Sequence, residues 1–152
     1  MTPFRSALTN LSALPVSGVT HNFDVDALPD ELSRAQLPAL LVLPGTIQEN
    51  ERIKERGKGF VAIAFSSGPR TITYTVTHLL LVAPVSAGRG ARSHLPRVID
   101  LIDAYIAALS ANLTLSGALL EPARVQVEPG LFTHGDIPYH GCAFRHTWII
   151  QV

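Results

Sequence analysis

From Arg70 to Pro84 the chain alternates so regularly that only a long β-strand satisfies it. Ile72, Tyr74, Val76, His78, Leu80 and Val82 fall on one side, and Thr71, Thr73, Thr75 and Thr77 on the other. Successive side chains of a strand point to opposite faces, so a period of two separates an apolar face from a hydroxyl-bearing one. Threonine favours strands and tolerates a half-wet face. From Leu79 onward both faces are apolar, so that end is expected to be covered on both sides. A second stretch, Cys142 to Val152, repeats the pattern, with Cys142, Phe144, His146, Trp148, Ile150 and Val152 opposite Arg145, Thr147 and Gln151.

Between these strands lies the strongest helical signal, with Leu95, Val98, Ile99, Ile102, Tyr105, Ile106 and Leu109 at spacings of three and four. The spacing predicts a helix capped by Ser93 and docked through Leu95, Val98, Ile99, Ile102 and Ile106, so that Ile102→Asp would unfold the chain. A shorter amphipathic helix is expected over residues 3–14, with Phe4, Ala7, Leu8, Leu11 and Leu14 on one face and Pro15 ending it. Val16 to Phe23 reads as extended, Asp24 to Glu31 as a loop, Leu37 to Leu43 as a short buried strand closed by Pro44-Gly45, and Phe60 to Phe65 as a strand. Near the C-terminus, Arg124 to Glu128 alternates with Val125 and Val127 inward. Pro129-Gly130 is a turn signal, and Leu131 to Gly141 reads as a loop. The expected class is α+β, one domain over residues 1–152: a mostly antiparallel sheet with two main helices on one face, plus an extended charged arm or hairpin at 46–59.

Hydrophobic residues make up 47% of the chain and charged residues 16%, against about 25% charged in a typical soluble domain. That balance suggests apolar surface covered by other subunits. Net charge is zero, which argues against a general nucleic-acid binder. The single cysteine, Cys142, forbids an intrachain disulfide. The N-terminus lacks a secretory pattern, and the longest apolar run is far short of the ~20 residues of a membrane helix, so a soluble intracellular protein is expected.

No phosphate loop, nucleophile elbow or metal box is present. His134, His140 and His146 stand six apart without the convergent ligands of a zinc site. With Tyr139 they define the alternative reading, a small α+β enzyme or ligand-binding domain. Cys142 beside His140 reads as a small buried hydrophobe rather than a nucleophile, and Asp100 and Asp103 as a solvated helix face. No catalytic residue, metal ligand or cofactor is assigned. The candidate contact residues are Glu49, Glu51, Arg52, Lys54, Glu55, Arg56 and Lys58 of the mixed-charge arm, and Arg89 and Arg92 of the Gly88-Arg89-Gly90-Ala91-Arg92 loop.

The order of features along nearly the whole chain resembles the tail terminator (tail-to-head joining) proteins of long-tailed, non-contractile bacteriophages, and the related minor tail and neck proteins. The resemblance is carried by the short N-terminal helix, the Pro15–Val19 segment, the Leu-Pro-Ala-Leu-Leu-Val-Leu-Pro-Gly strand at Leu37–Gly45, the charged insertion, the Thr-rich strand at Thr71–Val82, the helix from Leu95, and the Tyr139-His140-Gly141-Cys142-Ala143-Phe144 approach to the last strand. It implies a subunit of a six-membered ring that ends tail-tube polymerisation and faces the head connector. The partners it implies are further copies of the chain, the tail tube protein and the connector or neck protein. DNA would be only passing cargo in the lumen, and no membrane would be involved. The location implied is the virion tail, assembled in the host cytoplasm. Head-completion and neck proteins are the neighbouring reading within the same class.

Overall fold

The computed structural model describes residues 3–44, 59–63, 70–88 and 91–151, with the backbone alone for 59–63 and 91. The elements run α1 (Pro3–Ser12), β1 (His21–Phe23), β2 (Ala39–Leu43), β3 (Gly59–Ile63), β4 (Thr71–Pro84), α2 (Ala91–Ser110), β5 (Arg124–His134) and β6 (Ile137–Gln151). They form one six-stranded sheet in the order β1-β2-β4-β6-β5, with β3 also paired to β4. Among the described residues only the β1–β2 pairing is parallel. This is the α+β architecture that the alternating pattern predicts. The charged arm at 46–59 lies outside the described residues except for its last position, Gly59.

The two long strands are the spine. β4 and β6 pair antiparallel from Thr71↔Gln151 to Pro84↔Tyr139, which brings their apolar rows onto one face. β2 and β3 follow one another along the free side of β4, at Thr77–Leu81 and Ile72–Thr75. Over the apolar face lie α1 and α2, so Val76, Leu80, Phe144, Trp148 and Ile150 form one core with Leu11, Val98 and Leu101. On the opposite face, Leu41, Leu79, Leu81, Tyr139 and Ala143 are covered by Phe23, Leu28, Leu32 and Leu37. Thr73, Thr75 and Thr147 beyond them stay part-exposed. The change from one covered face to two at Leu79 is where the β4 sequence loses its alternation.

The docking face of α2 differs from expectation. Val98, Leu101, Tyr105 and Leu109 are buried, Ile102 is half-buried, and Leu95, Ile99 and Ile106 are exposed. Two contacts fix this rotation. Tyr105 stacks on Phe144 with ring centroids 3.6 Å apart and 8° between planes. On the far flank Arg97 donates to Gly18 O at 3.3 Å. The apolar stripe is wider than the surface the sheet offers it, so its outer half is left in water. The helix begins at Ala91, which places Ser93 inside the first turn rather than at the cap.

The C-terminal third is a long hairpin, not a turn and a loop. β5 runs straight through Pro129 and Gly130, and the reversal comes at Gly135-Asp136, between His134 and Ile137. Both turn residues have positive φ, +57° and +63°. This is the two-residue turn whose twist matches that of the strands. Pro129 is tolerated because β5 is an edge strand and its missing N–H faces away from β6. Val127 is exposed rather than inward, because α2 packs on β4 and β6 and stops short of β5. Of the stretch Val16–Phe23, only His21–Phe23 pairs; Val16–Val19 closes a turn with Gly18 at φ +86°.

Two predictions follow from the packing. Leu101→Ala removes a fully buried side chain and is expected to cost ~2–5 kcal/mol, whereas Ile99→Ala costs less than about 1 kcal/mol; urea denaturation separates them. At Gly141 a Cβ would lie 1.9 Å from Leu80 O. Backbone cannot yield as a flexible side chain can, so Gly141→Ala is expected to abolish the cooperative unfolding transition, and a transition within about 1 kcal/mol of the parent would contradict the β4–β6 pairing.

Candidate functional surfaces

Two histidines lie in the inward rows of the spine, His78 on β4 and His146 on β6, and both are buried. Tyr105 of α2 joins them, its hydroxyl 2.8 Å from His78 Nδ1 and 2.6 Å from His146 Nε2. Donor and acceptor counting gives one consistent order. Trp148 Nε1–H can only donate, and it reaches His146 Nδ1 at 3.3 Å. A neutral His146 therefore carries its proton on Nε2 and donates to the Tyr105 oxygen. The Tyr105 hydroxyl then donates to His78 Nδ1. His78 Nε2–H donates to Asn22 Oδ1 at 2.8 Å, and Asn22 Nδ2 donates to Leu11 O and Leu14 O at the end of α1. One directed chain thus links β6, α2, β4, β1 and α1.

Its four aromatic members are at most 1% exposed. Burial holds both rings neutral: it lowers His146 to about 3 and His78 well below its ordinary value, His78 also feeling His146. Burial likewise raises the Tyr105 hydroxyl, with Cys142 adding to the shift. A chain so enclosed and fully paired is built to hold elements together.

His134, His140 and His146 are not brought together. His134 donates from Nε2 to Pro29 O at 2.8 Å. His140 is buried against His94, with ring centroids 5.0 Å apart, and its Nε2 has no hydrogen-bond partner. His146 belongs to the core chain, and Tyr139 lies on the opposite face of the sheet. Among the described residues no group of three or more His, Cys, Asp or Glu is placed to hold a metal ion. Cys142 is fully buried, and its thiol is pushed up to about 11, chiefly by burial. Asp100 and Asp103 are exposed. The pair that chemistry links, His78 with His146, was detectable in the sequence as two polar rings in otherwise apolar inward rows.

The outer surface carries a different feature. Leu95, Ile99 and Ile106 on α2 are 50%, 50% and 48% exposed, and Val127 and Leu131 on β5 are 38% and 61% exposed. Arg97 reaches toward Gly18 and the α1 side, so the opposite flank of α2, carrying these leucine and isoleucine side chains, faces the β5 side. Residue pairing aligns the two rows. His94 stacks on His140, which is opposite Leu131, and Tyr105 stacks on Phe144, which is opposite Val127. The eleven residue steps from Leu95 to Ile106 span about 16 Å of helix. The six steps from Leu131 to Val125 span about 20 Å of strand. Helix flank and strand face are therefore two exposed apolar rows on the same side of the sheet. Arg92 is exposed at the start of α2. Arg89 and the arm residues Glu49, Glu51, Arg52, Lys54, Glu55, Arg56 and Lys58 lie outside the described residues.

No protein-family profile and no curated protein sequence matches this chain. Among the described residues no helix is long and apolar enough to cross a membrane.

The core chain sets the pH dependence of stability. Both histidines have folded-state values below the unfolded one of about 6.5, so the unfolded state binds more protons at lower pH. Their contribution is complete above about pH 6.5 and is lost as pH falls toward 3, at up to ~1.4 kcal/mol per pH unit for each ring. Urea titrations between pH 7.5 and 5 check this; a flat profile would contradict neutral rings. Tyr105→Phe strands His78 Nδ1 and His146 Nε2–H without a partner, and is expected to cost roughly 2–6 kcal/mol.

Proposed function

We propose that this chain is a structural assembly subunit, a bacteriophage tail terminator that closes into a ring, caps the tail tube and presents a surface to the head connector.

 The observation that carries the reading is the exposed apolar rows of α2 and β5, on a subunit whose His146–Tyr105–His78 chain is buried and paired. A monomeric protein gains nothing from leaving Leu95, Ile99, Ile106 and Leu131 in water; a subunit that spends its life between neighbours does. Among the described residues the sheet ends at β1 and β5, and these edges add main-chain groups to which a neighbour can pair. Subunits related head to tail by a rotation that closes form a ring of fixed size. The low charge content suits a lumen that lets DNA pass without gripping it. A head-completion or neck protein of the same virion class is the neighbouring reading, and position in the particle separates it from a terminator.

Tail assembly in the absence of the protein tests the reading. Particles lacking it are expected to carry tubes of uncontrolled length that fail to join heads, and the purified chain is expected to bind tube ends. Normal tail length without the chain, together with no binding to tubes, would overturn it. Charge reversal at both Arg52 and Arg56 is expected to leave the circular dichroism spectrum and urea midpoint unchanged while weakening assembly; normal assembly by that double variant would remove the arm from the contact.

A further inference from the structure

The edge strand β5 has a property that the ring reading does not use: its charges are arranged to match a second copy of itself. We infer that the free chain pairs through β5 with β5 of a second copy, antiparallel and centred on Gln126. The inference stands apart from the ring, whose contacts need no twofold axis.

In a two-residue hairpin the pair flanking the turn is hydrogen-bonded, here His134 with Ile137. Alternate residues back along β5, down to Glu128, Gln126 and Arg124, therefore turn their N–H and C=O toward β6. Those between them, including Leu131, Pro129, Val127 and Val125, turn theirs outward. Among the described residues nothing in the sheet lies beyond β5 to receive them.

Side-chain charge then selects the register. Centred on Gln126, Arg124 lies opposite Glu128 of the second copy, and Val125 lies opposite Val127. Each Val125–Val127 pair exchanges two main-chain hydrogen bonds, and Pro129, which has no N–H, falls at the margin opposite Ala123. Centring on Glu128 would set carboxylate against carboxylate and bring Pro129 into the ladder. Centring on Arg124 would set guanidinium against guanidinium. Like charges directly opposite are unfavourable, so the chosen register is the one that joins opposite charges at both ends. Arg124 is exposed and has no ion pair among the described residues. Glu128 is held on one oxygen, Oε2, by Arg145 Nε at 2.7 Å, leaving its other oxygen to an incoming Arg124. The same pairing sets the exposed apolar rows of the two β5 strands side by side, so each copy supplies the neighbour that Val127 lacks in the single chain.

Sedimentation velocity over a concentration series, with three variants, tests the inference. The parent chain is expected to show a concentration-dependent species of twice the single-chain mass. Val127→Pro removes only an outward N–H, in the same phase as the native Pro129, and Arg124→Glu sets carboxylate against carboxylate; both are expected to abolish that species with the circular dichroism spectrum unchanged. Gln126→Cys places two thiols across the axis in a non-hydrogen-bonded pair, with Cα atoms about 4.5 Å apart, within disulfide range. It is expected to oxidise rapidly to a covalent dimer, while the buried Cys142 stays reduced. A parent that is monomeric at every concentration, a dimer unaffected by Val127→Pro, a larger ring unaffected by it, or a Gln126→Cys chain that oxidises no faster than a Gln151→Cys control would each overturn the inference.

Discussion

The Tyr105 hydroxyl, held between His78 and His146, is the contact on which the rest of the arrangement depends. It must accept from one imidazole and donate to the other, so it fixes both tautomers and the rotation of α2 together. The stack of the same ring on Phe144 reinforces that rotation. Once α2 is turned to bring Tyr105 inward, Val98, Leu101 and Leu109 go with it, and Leu95, Ile99 and Ile106 are left outside. The outward apolar flank is thus a consequence of the buried polar chain. Through Asn22 the same chain reaches the last carbonyls of α1, so the two helices are tied to the sheet by one set of hydrogen bonds as well as by apolar packing.

Much of this fold is legible in the sequence, and the places where it is not have physical reasons. The strict alternation of β4 and β6 leaves no other element, and the loss of alternation at Leu79 marks the second covered face. In α2 the period reveals a helix but not its phase: with Leu95, Val98, Ile99, Ile102, Tyr105, Ile106 and Leu109 all apolar or aromatic, the stripe is too wide to say which half meets the sheet, and Leu101 is missed altogether. Pro129-Gly130 carries a strong turn signal, but an edge strand has an outward side where a missing N–H costs nothing, and the true reversal sits at Gly135-Asp136. The site was obscured for a related reason. Spacing along the chain drew attention to His134, His140 and His146, whereas pairing across the sheet and under α2 is what unites His78 with His146.

The molecule divides its polar chemistry and its apolar surface in an unusual way. The imidazoles of His78 and His146, a phenol and an indole, groups often found in reaction centres, are enclosed and mutually satisfied in the interior. The outside offers exposed apolar rows and strand edges. A composition of 47% hydrophobic and 16% charged residues is consistent with that exchange. The proposed assembly role rests on the exterior, and the interior chain supports it by keeping the presenting helix in one orientation.

The directed chain makes a specific claim about two protons, and nitrogen-15 NMR of the histidine rings tests it most directly. Both His78 and His146 are expected as neutral rings protonated on Nε2, unchanged between pH 7.5 and 5.5, with the Nε2–H of His146 shifted by its short bond to Tyr105. Either ring found protonated on Nδ1, or carrying a second proton within that range, would contradict the order of donors and acceptors that fixes the rotation of α2 and leaves its apolar flank exposed.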